Sequence, residues 1–156
     1  MRYAAGVVSA RAHIRAMEVC RPGLFEYHLE AELECTSSAR AGRRCRPTAR
    51  SVAAGRNATI LHYRENDAAI KDGDLILIDA GCEIDCYASD ITRTFPANGA
   101  SVPSRRRSTN SCWEANMAAF DYIAPGRHWN EAHEATVRVI TAGLVRLGLL
   151  EATSTS

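Results

Sequence analysis

The chain has 156 residues, 46% hydrophobic and 24% charged, with a net charge of +1. That length and balance are ordinary for one soluble globular domain with a real core. No apolar run approaches the roughly 18 residues of a membrane span, so no membrane partner is expected.

Tyr3 to Ala10 runs directly into Arg11 and Arg15 and reads as a helix start, not a secretory signal. Val7, Ile14, Met17 and Cys20 give helical spacing up to the Pro22-Gly23 stop. Leu24 to Glu34 resumes it, with Phe25, Leu29 and Leu33 on one face. Residues 36–50 have no apolar period and read as a solvated loop. Thr59 to Tyr63 has strand character, and Arg64 to Asp67 forms a polar turn. Asp72-Gly73 is a second turn, and Leu75 to Ile78 reads as a buried strand ended by Asp79-Ala80-Gly81. Ile91 to Phe95 alternates as a strand and stops at Pro96 and Asn98-Gly99. Residues 113–123 form a helix with Trp113, Met117, Phe120 and Ile123 on one face. Residues 130–150 form another, with Val137, Ile140, Leu144 and Leu147 aligned, and 151–156 are a frayed tail. The pattern is α+β.

Six cysteines with no CxxC pair and no export signal read as free thiols in a cytoplasmic protein. Arginine supplies 18 of the 19 basic residues. Eight of these arginines fall in two acid-free patches, 36–50 and 104–112, which outweigh the whole net charge. The patches lack aromatic interleaving, so nucleic acid is not an expected partner.

Asp79 follows four apolar residues, and a carboxylate at the end of a buried strand needs a cation or strong donors. Asp90 opens the next strand, and a hairpin-like connection through 81–89 brings the two carboxylates together. Such a pair suits a hard divalent ion such as Mn²⁺. It equally suits a pair of turn or capping aspartates. His62 reads as a core histidine or as a donor facing that pocket. His13 and His28 sit on helices without partners. His133-Glu134 lacks the second histidine of HExxH, because Val137 stands there.

Three strings carry a resemblance: Leu61-His62-Tyr63-Arg64-Glu65-Asn66, the stretch Asp72 to Glu83, and Tyr87 to Gly99 with its Asp90-Ile91-Thr92-Arg93-Thr94-Phe95-Pro96 run. They resemble Xaa-Pro aminopeptidase (aminopeptidase P), a pita-bread metallopeptidase related to prolidase and methionine aminopeptidase. Met17 to Leu33 and Trp129 to Leu150 are also similar to that family. The resemblance implies two divalent ions, usually manganese, bridging a water that attacks the bond before proline. It assigns Asp79 and Asp90 as metal ligands and His62 as a histidine that contacts substrate. The implied substrates are peptides with proline second, and the complete enzyme is compatible with homo-oligomers. A histidine and two glutamates complete the family's ligand set and are absent from this chain. The expectation is therefore a truncated pita-bread domain, its N-terminal half over 1–156, inactive alone. Alternatives are a prolidase-like dipeptidase and a non-catalytic binding module. Compensated frameshifts offer one account of the arginine patches. Read one base earlier, Arg107 to Trp113 can encode Ala-Ile-Tyr-Glu-Leu-Val-Leu, and Cys35 to Ser38 can encode Val-His-Glu-Phe.

Overall fold

The computed structural model describes residues 2–41, 45–47 and 50–151, with the side chains of 2, 41 and 45–47 left aside. The expected tail at 152–156 and part of the first arginine patch lie outside the described residues. The chain divides into two compact units, Met1–Ala100 and Ser101–Ser156.

The first unit begins with α1 (Arg2–Val19) and α2 (Glu26–Ala41). Pro22 and Gly23 separate them; Gly23 takes φ +91°, and its N–H bonds the Ile70 carbonyl. The buried face of α1 is Ala5, Val8, Ala12 and Ala16, whereas Ile14 and Met17 are exposed. The expected apolar stripe is thus rotated. Small alanines let α1 approach α2 and the sheet closely, which longer side chains there would prevent. Helix α2 buries Leu29 and Leu33 as expected but continues through 36–41. Ser, Thr and Arg on a solvated face cost little propensity once the other face is packed.

Among the described residues six strands follow: β1 (Cys45–Pro47), β2 (Ser51–Ala54), β3 (Leu75–Ala80), β4 (Cys82–Ile84), β5 (Tyr87–Ala88) and β6 (Ile91–Pro96). They form two antiparallel three-stranded sheets, ordered β1-β4-β5 and β2-β3-β6. Burial alternates along β3. Ile76, Ile78 and Ala80 enter the core with Val52, Leu29 and Ala12, while Leu75, Leu77 and Asp79 are only half-buried. A smaller cluster joins Ala5 and Val8 of α1 to Cys82 and Ile84 of β4.

The strand expected at 59–63 is not formed. The strand is Ser51–Ala54, all four residues buried, and a 3₁₀ turn (Gly55–Thr59) leads into an exposed turn at Leu61 and His62. Gly55 sets this switch. It takes φ +56°, and a Cβ there would lie 2.9 Å from Asp74 Oδ1. Asp74 Oδ2 in turn accepts the Lys71 N–H. Gly55→Ala is expected to destabilise the chain by about 1–2 kcal/mol. An unchanged urea midpoint at constant m-value would refute this.

The second unit pairs α3 (Pro103–Phe120) with α4 (Trp129–Arg146). Helix α3 opens with Pro103 in its first turn and includes residues 104–112, so the second arginine patch is helical and exposed. Only Ser111 and Ala115 are buried on α3, facing a close approach at Gly143, where a Cβ would lie 2.7 Å from Ser111 Oγ. The expected apolar face of Trp113, Met117, Phe120 and Ile123 is exposed in this chain. His128 caps α4, accepting from Asn130 N–H, while Glu131 accepts from His128 N–H. That backbone bond, helped by Arg127, holds the Glu131 carboxyl below its ordinary range. Among the described residues no helix is long and apolar enough to cross a membrane.

Candidate metal and substrate site

Asp79 is the penultimate residue of β3, on the face turned away from the core. In register it lies between Ser51 of β2 and Thr92 of β6. Thr92 Oγ1 donates to Asp79 Oδ1 at 2.7 Å, which orients the carboxylate and leaves Oδ2 free of any described side-chain bond. The strand's alternation therefore explains how a carboxylate beside four apolar residues avoids the core. It is half-buried, not enclosed as the sequence suggested.

Asp90 immediately precedes β6 and is exposed. Its neighbour Ser89 fastens it. Ser89 Oγ contacts Ser9 Oγ of α1 at 2.7 Å and donates to the Ala5 carbonyl at 3.2 Å, and Ser89 N–H bonds the Cys82 carbonyl at 2.9 Å. The 81–89 connection, expected to be hairpin-like, contains the short β4–β5 pair and returns the chain beside β3.

His62 does not lie in a strand. It is exposed in a turn at φ +58°, a left-handed conformation unusual for a residue with a Cβ. The chain on its C-terminal side is buried: Tyr63 packs inward, and Asn66 Oδ1 accepts the Val52 N–H at 2.9 Å.

These three residues line one open cavity of about 350 Å³, together with Arg50, Ser51, Arg64, Ala88 and Ser89. Arg50 has a buried side chain, ion-paired with Glu34 at 3.5 Å. Sequence reasoning missed Arg50 and Arg64 as cavity residues, because the first lay in a patch read as loop and the second in a surface turn. Both guanidinium-bearing residues line the same cavity as the aspartates, Arg50 with its charge already paired to Glu34. A larger depression of about 670 Å³ in the second unit is lined by residues including Tyr122, Ile123, Trp129 and His133 but by no acid. The histidines of α1 and α2 are not free of partners. His13 Nδ1 lies 2.9 Å from the Ser9 carbonyl, and His28 Nδ1 accepts the Phe25 N–H.

Two carboxylates at the edge of an open cavity fit part of the oxygen donor set of a hard divalent ion. Among the described residues no group of three or more acidic, histidine or cysteine side chains is close enough to hold a metal.

The family model for metallopeptidase family M24 matches residues 1–152. The Xaa-Pro aminopeptidase of Escherichia coli is 46% identical over 147 residues, covering 94% of this chain and 33% of that protein. The Xaa-Pro dipeptidase of Mus musculus is 33% identical over 147 residues, covering 92% of this chain and 30% of that protein. The structure of Pseudomonas aeruginosa aminopeptidase PepP superposes with a TM-score of 0.92 at 77% identity, covering 98% of this chain and 34% of that one. A zinc-substituted E. coli aminopeptidase P in complex with product gives 0.90 at 45% identity, covering 97% and 34%. The chain thus spans about a third of the length of the relatives it matches. Because the matched span takes in both units and every element described above, the chain belongs to metallopeptidase family M24 and carries part of its pita-bread fold.

Proposed function

We propose that this chain supplies the two-aspartate side of an Xaa-Pro aminopeptidase site, with Asp79 and Asp90 as ligands of divalent ions and His62 facing the peptide. The observation that carries the reading is the convergence of His62, Asp79 and Asp90, from three separate segments, on one open cavity. Its similarity to proteins named Xaa-Pro aminopeptidase supports the substrate class, a peptide with proline second.

Bound ions, manganese in our reading, supply Lewis-acid activation of water. The chain's own residues place its share of the site. Thr92 fixes which oxygen of Asp79 is presented. Ser89 holds Asp90 at the mouth of β6. His62 projects from its exposed turn, where an imidazole can hydrogen-bond a peptide carbonyl. Arg50 and Arg64 hold positive charge near the aspartates. Free Cys20, Cys35, Cys82, Cys86 and Cys112 are compatible with a reducing, cytoplasmic compartment.

With only two of the ligands needed, the chain alone is expected to show no turnover. The decisive experiment is a chimera in which the chain replaces the matching third of the E. coli relative. With Mn²⁺, the chimera is expected to release the N-terminal residue from an Xaa-Pro-Xaa tripeptide. A folded, metal-loaded chimera without turnover would sink the reading. Preference for an Xaa-Pro dipeptide would move it to the prolidase branch, which the 33% identity to the mouse dipeptidase keeps in view.

A further inference from the structure

Glu26 opens α2 and is completely buried. A carboxylate in such a place needs its charge solvated by protein groups. Here the donors are all neutral. Oε1 accepts from Ala54 N–H at 2.6 Å and Asn57 Nδ2 at 3.1 Å. Oε2 accepts from Tyr63 Oη at 2.8 Å and Ala68 N–H at 3.0 Å. No ion pair to Glu26 occurs among the described residues.

All four donors belong to one stretch of chain, Ala54 to Ala68. They mark its start, its 3₁₀ turn, the residue after His62, and its end. Asn57 Nδ2 also reaches Tyr63 Oη at 2.9 Å, closing the network on itself. The Glu26 N–H bonds the Ala68 carbonyl, so backbone and side chain grip the same segment. This stretch contains His62 and Arg64, both lining the cavity with Asp79 and Asp90. His62 itself has no described hydrogen bond and sits at φ +58°. An exposed, left-handed histidine keeps its place only when its flanks are fixed.

We propose that Glu26 is a positioning residue for the site: through Tyr63, Asn57 and the backbone at Ala54 and Ala68 it sets where His62 stands over the two aspartates. It touches neither substrate nor metal. The role explains why a charged side chain occupies the core position opening α2, where an apolar residue would pack without any need for donors. Burial and the adjacent Glu26 carboxylate push the Tyr63 phenol up to about 12, so it remains a donor at every working pH. The inference rests on the reading of His62, Asp79 and Asp90 given above.

The test uses isotope-labelled full chain, Glu26→Gln and Tyr63→Phe, with two NMR readouts. Without metal, Glu26→Gln is expected to shift the His62 ring and amide signals and to change its backbone coupling constant. Amides of α1 and β3, and the rings of His13 and His28, are expected to stay in place. With Mn²⁺ alone as paramagnetic probe, relaxation enhancement at the His62 ring is expected to change by about twofold or more in Glu26→Gln, and by less in Tyr63→Phe. His62 signals that do not move, or changes spread evenly over α1 and β3, would overturn the proposal in favour of a general structural role. If Glu26→Gln fails to fold, Tyr63→Phe and Asn57→Ala decide by the same criteria, since each removes one tie. If Mn²⁺ produces no localised effect in the unsubstituted chain, where only two ligands are present, the same readout is taken in the chimera, and its absence there would sink the assignment of the aspartates. The metal-free readout still decides the link from Glu26 to His62.

Discussion

Asp90→Ala in the chimera is expected to lower peptidase turnover by about a thousandfold or more, with little change in stability. Both halves of that expectation come from its surroundings. Asp90 is exposed, and no described hydrogen bond or ion pair depends on its side chain. Its loss therefore removes negative charge at the cavity mouth without opening the core. Asp79→Asn tests the same point differently, because the amide keeps the shape and an oxygen for Thr92 while losing the charge. Thr92→Val leaves the carboxylate in place and removes the hydroxyl that orients it. That substitution is expected to weaken metal affinity by about 10–100-fold, the usual effect of deleting a partner behind a ligand. Calorimetric Mn²⁺ titration of the three variants, beside turnover, checks this order. Equal turnover in Asp90→Ala and the unsubstituted chimera would remove Asp90 from the site.

Glu26→Ala is expected to be the most destabilising single change in the first unit, at about 3–5 kcal/mol. It removes the acceptor shared by four donors, of which only Asn57 keeps a second partner in Tyr63 Oη and two are backbone N–H groups, and it opens a cavity at the start of α2. Each orphaned donor alone costs about 1–3 kcal/mol, and their shared acceptor makes the losses less than additive. Urea unfolding followed by a probe in β3 measures it; a loss under about 1 kcal/mol would show that water enters and replaces the carboxylate. The same network gives a pH signature. The Tyr63 phenol rises from 10.0 to about 12, so the folded state favours the protonated form. Its stabilisation is fully present below pH 10 and is lost as pH rises toward 12. Tyr63→Phe is expected to flatten the stability profile across that window.

The candidate site was named from the sequence through a resemblance, and the scaffold that carries it was only partly legible. From spacing alone Asp79 and Asp90 fitted turn or capping aspartates as well as ligands, and it was the resemblance that singled them out. The antiparallel β3–β6 register carries both to one cavity. His62 was expected in a strand and lies in a turn. Ile60 and Leu61 looked like strand, yet both are exposed, and Gly55 with its left-handed φ had already turned the chain. The strand that was missed, Ser51–Ala54, holds two alanines and a serine, whose β-propensity is weak; burial against Ile76 and Ile78 forms it. The arginine patches hid helix for the same reason. Residues 36–41 and 104–112 carry no apolar period, and their helices persist because Leu29, Leu33, Ser111 and Ala115 anchor one side. Glu26 gave no signal at all, since an acid near a helix start ordinarily serves the exposed N-terminus.

The alternation along β3 divides labour by parity. Ile76, Ile78 and Ala80 hold the unit together, while Leu77 and Asp79, one step away each time, look outward. Selection for a tighter interior and selection for altered chemistry therefore act on interleaved but separate sets of positions. A strand built this way lets a lineage remodel its outward face without renegotiating its foundations. It also means that a single inserted residue, which would exchange the two sets, would abolish both at once.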